Sequence, residues 1–160
     1  MKLSEIIKTT ATLISREDVC EYLNNTNGSY SRETYETVDL LTRLANLVVT
    51  ELAEGFICMV EEVEINSDSV TFSNLEKTPI GIIGAFDRFG NKIEYSLSPY
   101  GLTTNGVIIK KLAYSYSPNN YDLSDTIGNF EKRVSAIVLA YGVVAEYCLV
   151  RGKFEEATMW

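Results

Sequence analysis

The sequence predicts an α+β protein in which helices and strands occupy separate parts of the chain, and three observations support this prediction. Apolar residues recur at three- and four-residue spacing in residues 31–54, as in an amphipathic helix, and residues 130–152 form a nearly all-apolar run of helical length. Residues 56–118 alternate with a period of two, which indicates strands. The 160 residues suffice for one domain with a sizeable core. We therefore expect a single domain, 1–160, whose two helical regions, 1–55 and 122–160, form one bundle, with 56–118 as an inserted antiparallel β-meander of about five strands.

Two short helices and one long helix are predicted before the strands. Residues 4–13 form the first short helix, and residues 15–22 begin with a serine and an aspartate spaced as in a capping arrangement. Residues 24–29 are turn-forming throughout and predict a surface loop. Helical spacing of apolar residues over 31–54 predicts the first long helix, and Gly55 ends it.

Five strand-like segments follow, separated by turn-forming residues. Residues 87–91 predict a hairpin loop, in which Gly90 supplies the backbone freedom that a tight turn needs. Asn105 and Gly106 form a second turn signal before the longest segment. The predicted strands are residues 57–65, 70–72, 80–86, 92–97 and 107–116.

A long central C-terminal helix is predicted from Phe130 to Gly152, and the rest of the fold is expected to be organised around it. Between residues 134 and 150 only three side chains interrupt an apolar run, so one buried stripe cannot accommodate the helix. Two interpretations follow: a central core helix, or a helix that also packs against a neighbouring subunit. Gly142 weakens a helix interior, so we expect Gly142 and Ala145 to lie at a close helix crossing.

The C-terminal segment is predicted to dock on a partner. Phe154, Met159 and Trp160 are apolar, and the segment is too short to be stable as a free helix. Together with Gly142 and Ala145, these three residues form the predicted interface with another molecule.

The sequence shows no arrangement of residues that indicates catalysis or metal binding. The chain has no histidine, which excludes Ser-His-Asp and Cys-His devices and the commonest transition-metal ligand. The acidic runs at 61–64 and 155–156 are interpreted as solvated faces. We therefore predict no catalytic residue, no metal ligand, no cofactor and no enzymatic activity.

The net charge and the cysteine content limit the partners and the cellular compartment that we expect. The formal charge is -8, and basic residues adjoin each other only at Lys110–Lys111 and Lys132–Arg133, which disfavours a grip on nucleic acid. Three widely spaced cysteines indicate neither disulfides nor a metal knuckle, so a reduced, cytosolic protein is expected. Nothing in the sequence indicates export or membrane insertion.

Two stretches resemble the head–tail adaptor (connector) proteins of tailed bacteriophages, which form the ring beneath the portal. In similar proteins, a strand ending in Tyr-x-Tyr-x-Pro leads through an acidic turn into an alanine-rich helix with an AEYCL-like core, a glycine and a short FEEA-containing helix. The resembling stretches are 107–127 and 138–160, with the motif residues Tyr114, Tyr116, Pro118, Ala145–Leu149, Gly152 and Phe154–Ala157.

This resemblance implies a structural virion protein that joins the DNA-filled head to the tail. The implied partners are further copies in a dodecameric ring, the portal protein, downstream tail or neck proteins, and DNA in transient contact as it passes through the channel. The implied location is the head–tail junction of the virion, after synthesis in the bacterial host cytoplasm. Gly142, Ala145, Phe154, Met159 and Trp160 would then face a neighbouring subunit or the portal.

Three alternatives remain open at this point. The first is another virion component, such as a tail-completion or tail-terminator protein. The second is a small-molecule binding domain with its pocket between sheet and helices. An enzyme comes last, because scattered carboxylates and tyrosines are the only residues that the sequence offers for catalysis.

Overall fold

The computed structural model describes residues 1–127 and 134–160 and contains helices at both ends of the chain with strands between them. The helices are α1 (Leu3–Leu13), α2 (Glu17–Asn24), α3 (Arg32–Gly55), α4 (Ala136–Val150) and α5 (Phe154–Ala157). The strands are β1 (Met59–Ser67), β2 (Ser69–Thr71), β3 (Pro79–Phe86), β4 (Lys92–Ile93), β5 (Ser96–Ser98), β6 (Gly101–Thr103) and β7 (Ile109–Tyr116).

The predicted α+β class is confirmed, and the chain divides into a helical and a β unit. The helical unit consists of Met1–Glu51 and Asn119–Trp160, and the β unit of Leu52–Pro118. Within the β unit the strands are more numerous than expected, with seven in two antiparallel sheets, and the predicted strand 92–97 is divided into β4 and β5. That the whole chain forms a single domain stays a prediction.

Helix ends in the helical unit follow local hydrogen bonding. α1 begins at Leu3, one residue before the predicted start, because the Glu5 carboxylate accepts a hydrogen bond from the Lys2 backbone N–H at 2.9 Å. α3 starts where the sequence indicated: the Ser31 hydroxyl oxygen accepts a hydrogen bond from the Thr34 backbone N–H at 3.1 Å.

The long C-terminal helix is shorter than predicted. α4 begins at Ala136 because Ser135 has the extended backbone typical of a residue that precedes a helix (φ -81°, ψ 154°). The first predicted residues, 130–133, lie outside the described residues. At the other end the prediction holds: Gly152 has φ 72° and the N–H of Lys153 donates to the carbonyl of Cys148 at 2.8 Å, so the helix closes in a left-handed cap.

The larger sheet of the β unit has the order β1-β7-β3-β4. β7 is one of its two inner strands and is antiparallel to both neighbours, and Leu112 and Tyr114 are fully buried on it. The smaller sheet has the order β2-β6-β5, in which a Cβ on Gly101 would lie 2.1 Å from the carbonyl oxygen of Val70, so only glycine fits there.

Candidate functional site

One face of α4 forms the centre of the helical unit. Its buried residues recur at three- and four-residue spacing, as expected for one stripe of a helix. Towards the end of the helix, Val144 and Cys148 form a buried cluster with Ala157 of α5, and Leu13 and Ile14 pack against this cluster. The buried residues of α4 are Leu139, Ala140, Val143, Val144 and Cys148.

The other side of α4 exposes large apolar side chains. Val138 is 52% exposed, Leu149 42% and Tyr141 38%. With the half-buried Ala145 between them, these residues follow helical spacing on one side, and we call Val138, Tyr141, Ala145 and Leu149 the outer face of α4. The predicted apolar surplus is therefore real, and within residues 1–127 and 134–160 one stripe of α4 is buried while the outer face stays largely exposed.

Gly142 lies at a helix crossing inside the helical unit. A Cβ at this position would lie 2.9 Å from Cγ1 and 3.5 Å from Cγ2 of Val48 in α3. The close approach expected from the glycine thus has an intramolecular partner, which the sequence did not identify. A role for Gly142 and Ala145 at a subunit or portal interface stays a prediction.

The C-terminal segment packs on its own chain, and its expected docking on the portal or on a neighbouring subunit stays a prediction. After the turn at Gly152, Ala157 is buried in the cluster with Val144 and Cys148. The Trp160 ring lies 5.5 Å from the Tyr141 ring, centroid to centroid. Phe154 and Met159 are 67% and 83% exposed, so they do not form an apolar cluster with Trp160 and remain available to a partner.

A polar network ties the start of α2 to the start of α3. Arg16 donates two hydrogen bonds of 2.8 Å to the Asp18 carboxylate and one of 3.1 Å to Glu33. Asp18 also accepts a hydrogen bond from the Thr34 hydroxyl at 2.8 Å. The Arg16 hydrogen bonds, and then that of Thr34, hold the pKa of Asp18 well below its usual range; the same contact raises the pKa of Arg16. The network fixes the α1–α2 connection in place.

This network borders an open groove of about 550 Å³ in the helical unit. Its charges are largely matched: Lys153 pairs with Glu156 at 2.9 Å, and the Arg151 guanidinium lies 5.3 Å from the centre of the Tyr147 ring. The groove is therefore lined by polar and mostly paired charged groups as well as by apolar and aromatic side chains, and it carries no strong field of one sign. Its apolar and aromatic lining consists of Leu13, Ile14, Val144, Tyr147, Cys148 and Trp160.

Replacing Asp18 with asparagine is expected to lower the free energy of unfolding by about 1 kcal/mol at pH 7, because the amide carries no negative charge and can accept from Arg16 at one oxygen only, while solvent screens part of the effect. Since folding lowers the pKa of Asp18, its contribution is present above the ordinary pKa of about 4 and is lost as the pH falls below it. Urea unfolding of both proteins from pH 7 to pH 2 should show their difference shrinking below about pH 4.

The matched control is Asp39→Asn, which breaks an exposed pair with Arg43 on α3 and should cost only a few tenths of a kcal/mol. An Asp18→Asn effect that is the same at every pH would show that the carboxylate charge is irrelevant.

A second polar cluster lies on one face of the larger sheet. The buried Tyr114 donates a hydrogen bond from its hydroxyl to Glu61 at 3.1 Å, and Lys77 lies 3.2 Å from the same carboxylate oxygen. Burial, reinforced by Glu61, raises the pKa of Tyr114, and although burial alone lowers the pKa of Lys77, Glu61 raises it overall. Lys77 also lies over the Tyr116 ring at 4.2 Å. These contacts pair the charges of Glu61 and Lys77 and hold the segment before β3 against the sheet.

Among residues 1–127 and 134–160, no group of three or more acidic or cysteine side chains is placed to hold a metal ion. None of the helices in this part of the chain is long and apolar enough to cross a membrane. A search against models of known protein families found no match, and no curated protein matched the sequence either.

Sequence reasoning missed the residues that hold the C-terminal segment. No pattern in the sequence identified Tyr141 as the partner of Trp160, and Ala157 was seen only as part of a motif. The helical spacing of Val138, Tyr141, Ala145 and Leu149 would have identified the outer face, had the buried stripe been known.

Proposed function

We propose that the protein is a structural virion component, a head–tail adaptor that assembles as a ring under the portal and joins the DNA-filled head to the tail. Its partners would be other copies of itself in a dodecameric ring, the portal protein and downstream tail or neck proteins. It acts at the head–tail junction after synthesis in the host cytoplasm, and it performs no catalysis. The resemblance of residues 107–127 and 138–160 to such adaptors is the starting point of this proposal.

The observation that carries this proposal is the exposed apolar surface on the outer face of α4. Full burial of a large apolar side chain stabilises by about 1.5–3 kcal/mol, so leaving several of them half exposed on one helix forgoes several kcal/mol. A contiguous surface of this kind is typical of a site of association. In a ring, the outer face would contact a different surface of the next copy, since closed rings arise from such head-to-tail contacts.

The double variant Val138→Asp/Leu149→Asp is expected to abolish assembly while leaving the subunit folded, because both side chains are solvent-exposed and two unpaired charges cannot be buried in an interface. The measurement is the mass of particles formed with and without the portal, by light scattering and electron microscopy, together with circular dichroism of the free chain. Leu97→Asp, at a 60% exposed position of β5, is the control for an added charge elsewhere. Normal rings from the double variant would contradict the role of the outer face.

DNA is expected to pass this protein without being held. The formal charge is -8, Lys111 pairs with Glu62 at 3.1 Å, and Lys110 donates a hydrogen bond to Asn66. The other adjacent pair, Lys132 and Arg133, lies outside the described residues. Retention of duplex DNA should therefore be negligible at low ionic strength, where attraction is strongest. Micromolar or tighter binding that weakens with added salt would instead indicate a component that grips DNA.

Another virion role, such as tail completion or tail termination, would use the same outer face of α4. The position of the protein in electron micrographs of the virion separates such a role from that of an adaptor.

Small-molecule binding has one observation in its favour, the groove of about 550 Å³ beside Arg16 and Trp160. That size is within the range of ligand pockets, although its lining is open to solvent. Two results together would favour this second candidate. A metabolite screen would find a ligand that raises the melting temperature of the protein, and no ring would form when the portal protein is present.

A further inference from the structure

We propose that the C-terminal segment, residues 153–160, is exchanged between copies: in the assembled protein it docks on α4 of a neighbouring copy in the same seat that it occupies on its own α4 in the free chain. The proposal rests on the proposed assembly into a ring and specifies how one contact between neighbours is made. The occupant of the seat is thus a second copy of this chain.

We call the surface of α4 that the C-terminal segment covers in the free chain the seat; it is formed by Tyr141, Val144 and Cys148. Ala157 is buried against Val144 and Cys148, and Trp160 lies on Tyr141. These contacts are made by side chains that point from a separate short segment onto α4, so an identical segment from another copy would reproduce every one of them. Exchange of an identical element between copies is a low-cost route to association for this reason.

The connection to α4 is short and depends on one residue. Between Val150, the end of α4, and Phe154, the start of α5, only three residues intervene, and Gly152 makes the turn with φ 72°. A rotation of this residue into the right-handed region would let α5 extend away from its own α4 and reach another copy. Glycine can make that change at little cost, because it populates both conformations about equally.

The segment is also weakly held in the free chain. α5 has four residues, and only Ala157 among them is buried. An isolated helix of this length is not stable, so its docking on α4 depends on few contacts. Release from one copy and capture by the next exchanges equal contacts, and Val138 and Leu149 of the outer face are further exposed surface that a neighbour can cover.

Disulfide trapping distinguishes the two arrangements, because native Cys148 lies in the seat beside Ala157. The variant is Ala157→Cys in a chain whose other two cysteines are replaced, Cys20→Ser/Cys58→Ser. Oxidised with copper phenanthroline as a free subunit, it should form a disulfide within one chain. Oxidised after ring assembly with the portal, it should give a ladder of linked chains on a non-reducing gel. A matched variant, Met159→Cys, places the thiol at an 83% exposed site and should form few such links.

The outcomes separate this proposal from the proposed function. Rings whose chains carry only the intrachain disulfide would overturn the exchange and leave the adaptor role intact, whereas the absence of any ring would contradict both. Gly152→Ala gives a second measurement. Alanine disfavours the positive φ that folds the segment back onto its own α4, so the fraction of chains joined by interchain disulfides should rise severalfold at a given protein concentration. If the fraction of chains joined by interchain disulfides is unchanged or smaller in that variant, Gly152 does not act as the hinge.

Discussion

Replacing Gly142 with leucine is expected to destabilise the protein by roughly 1–3 kcal/mol or to prevent folding, because the added side chain must occupy space that Val48 already fills. Even a Cβ at this position would lie 2.9 Å from Cγ1 of Val48, which is closer than packed carbon atoms approach. The crossing of α3 and α4 would have to open. Thermal and urea unfolding of the purified variant measure the loss.

Gly55→Leu is the matched control, since a Cβ on Gly55 meets nothing within 4 Å and its backbone does not need positive φ. That variant should change the free energy of unfolding by no more than about 0.5 kcal/mol. A double-mutant cycle tests the contact itself: in a Val48→Ala background, Gly142→Ala should become less costly or stabilising, because alanine is favoured over glycine in a helix by about 1 kcal/mol. Equal losses of unfolding free energy in Gly142→Leu and Gly55→Leu would contradict a close crossing of α3 and α4 at Gly142.

Replacing Ala157 with glutamate is expected to release the C-terminal segment from α4. The carboxylate would be buried next to Val144 and Cys148 without a partner, which costs on the order of 3 kcal/mol or more, and a four-residue helix held by few contacts cannot supply that energy. Trp160 is the only tryptophan in the chain, so its fluorescence reports the change directly. Its emission should shift to longer wavelength as the ring leaves Tyr141, while circular dichroism shows that the helical unit remains folded.

Phe154→Glu, at a 67% exposed position of the same helix, is the control and should leave the emission unchanged. An unshifted emission in Ala157→Glu would mean that the buried cluster does not hold the segment. Complete unfolding would instead show that the segment is an integral part of the core.

Local features of the fold were predictable because they depend on neighbours in the sequence. The change of period at Gly55 correctly separated helices from strands, and Gly152 was correctly identified as the end of the long helix. The start of that helix was misplaced, because an apolar run does not reveal that Ser135 leaves the helical conformation. The division of the strands into two sheets was also missed, since it depends on pairings such as β2 with β6, about 30 residues apart along the chain.

For the candidate site, the sequence by itself determined that the helix containing Gly142 has more apolar surface than one stripe can bury, and that Gly142 needs a close neighbour. Only the tertiary structure decided which stripe is buried, that Val48 is the neighbour, and that Trp160 lies on Tyr141 of the same chain. The physical reason is that composition and spacing fix how much apolar surface an element carries and on which sides. Which side meets which partner depends on where distant segments return in space, and that information resides in no local pattern.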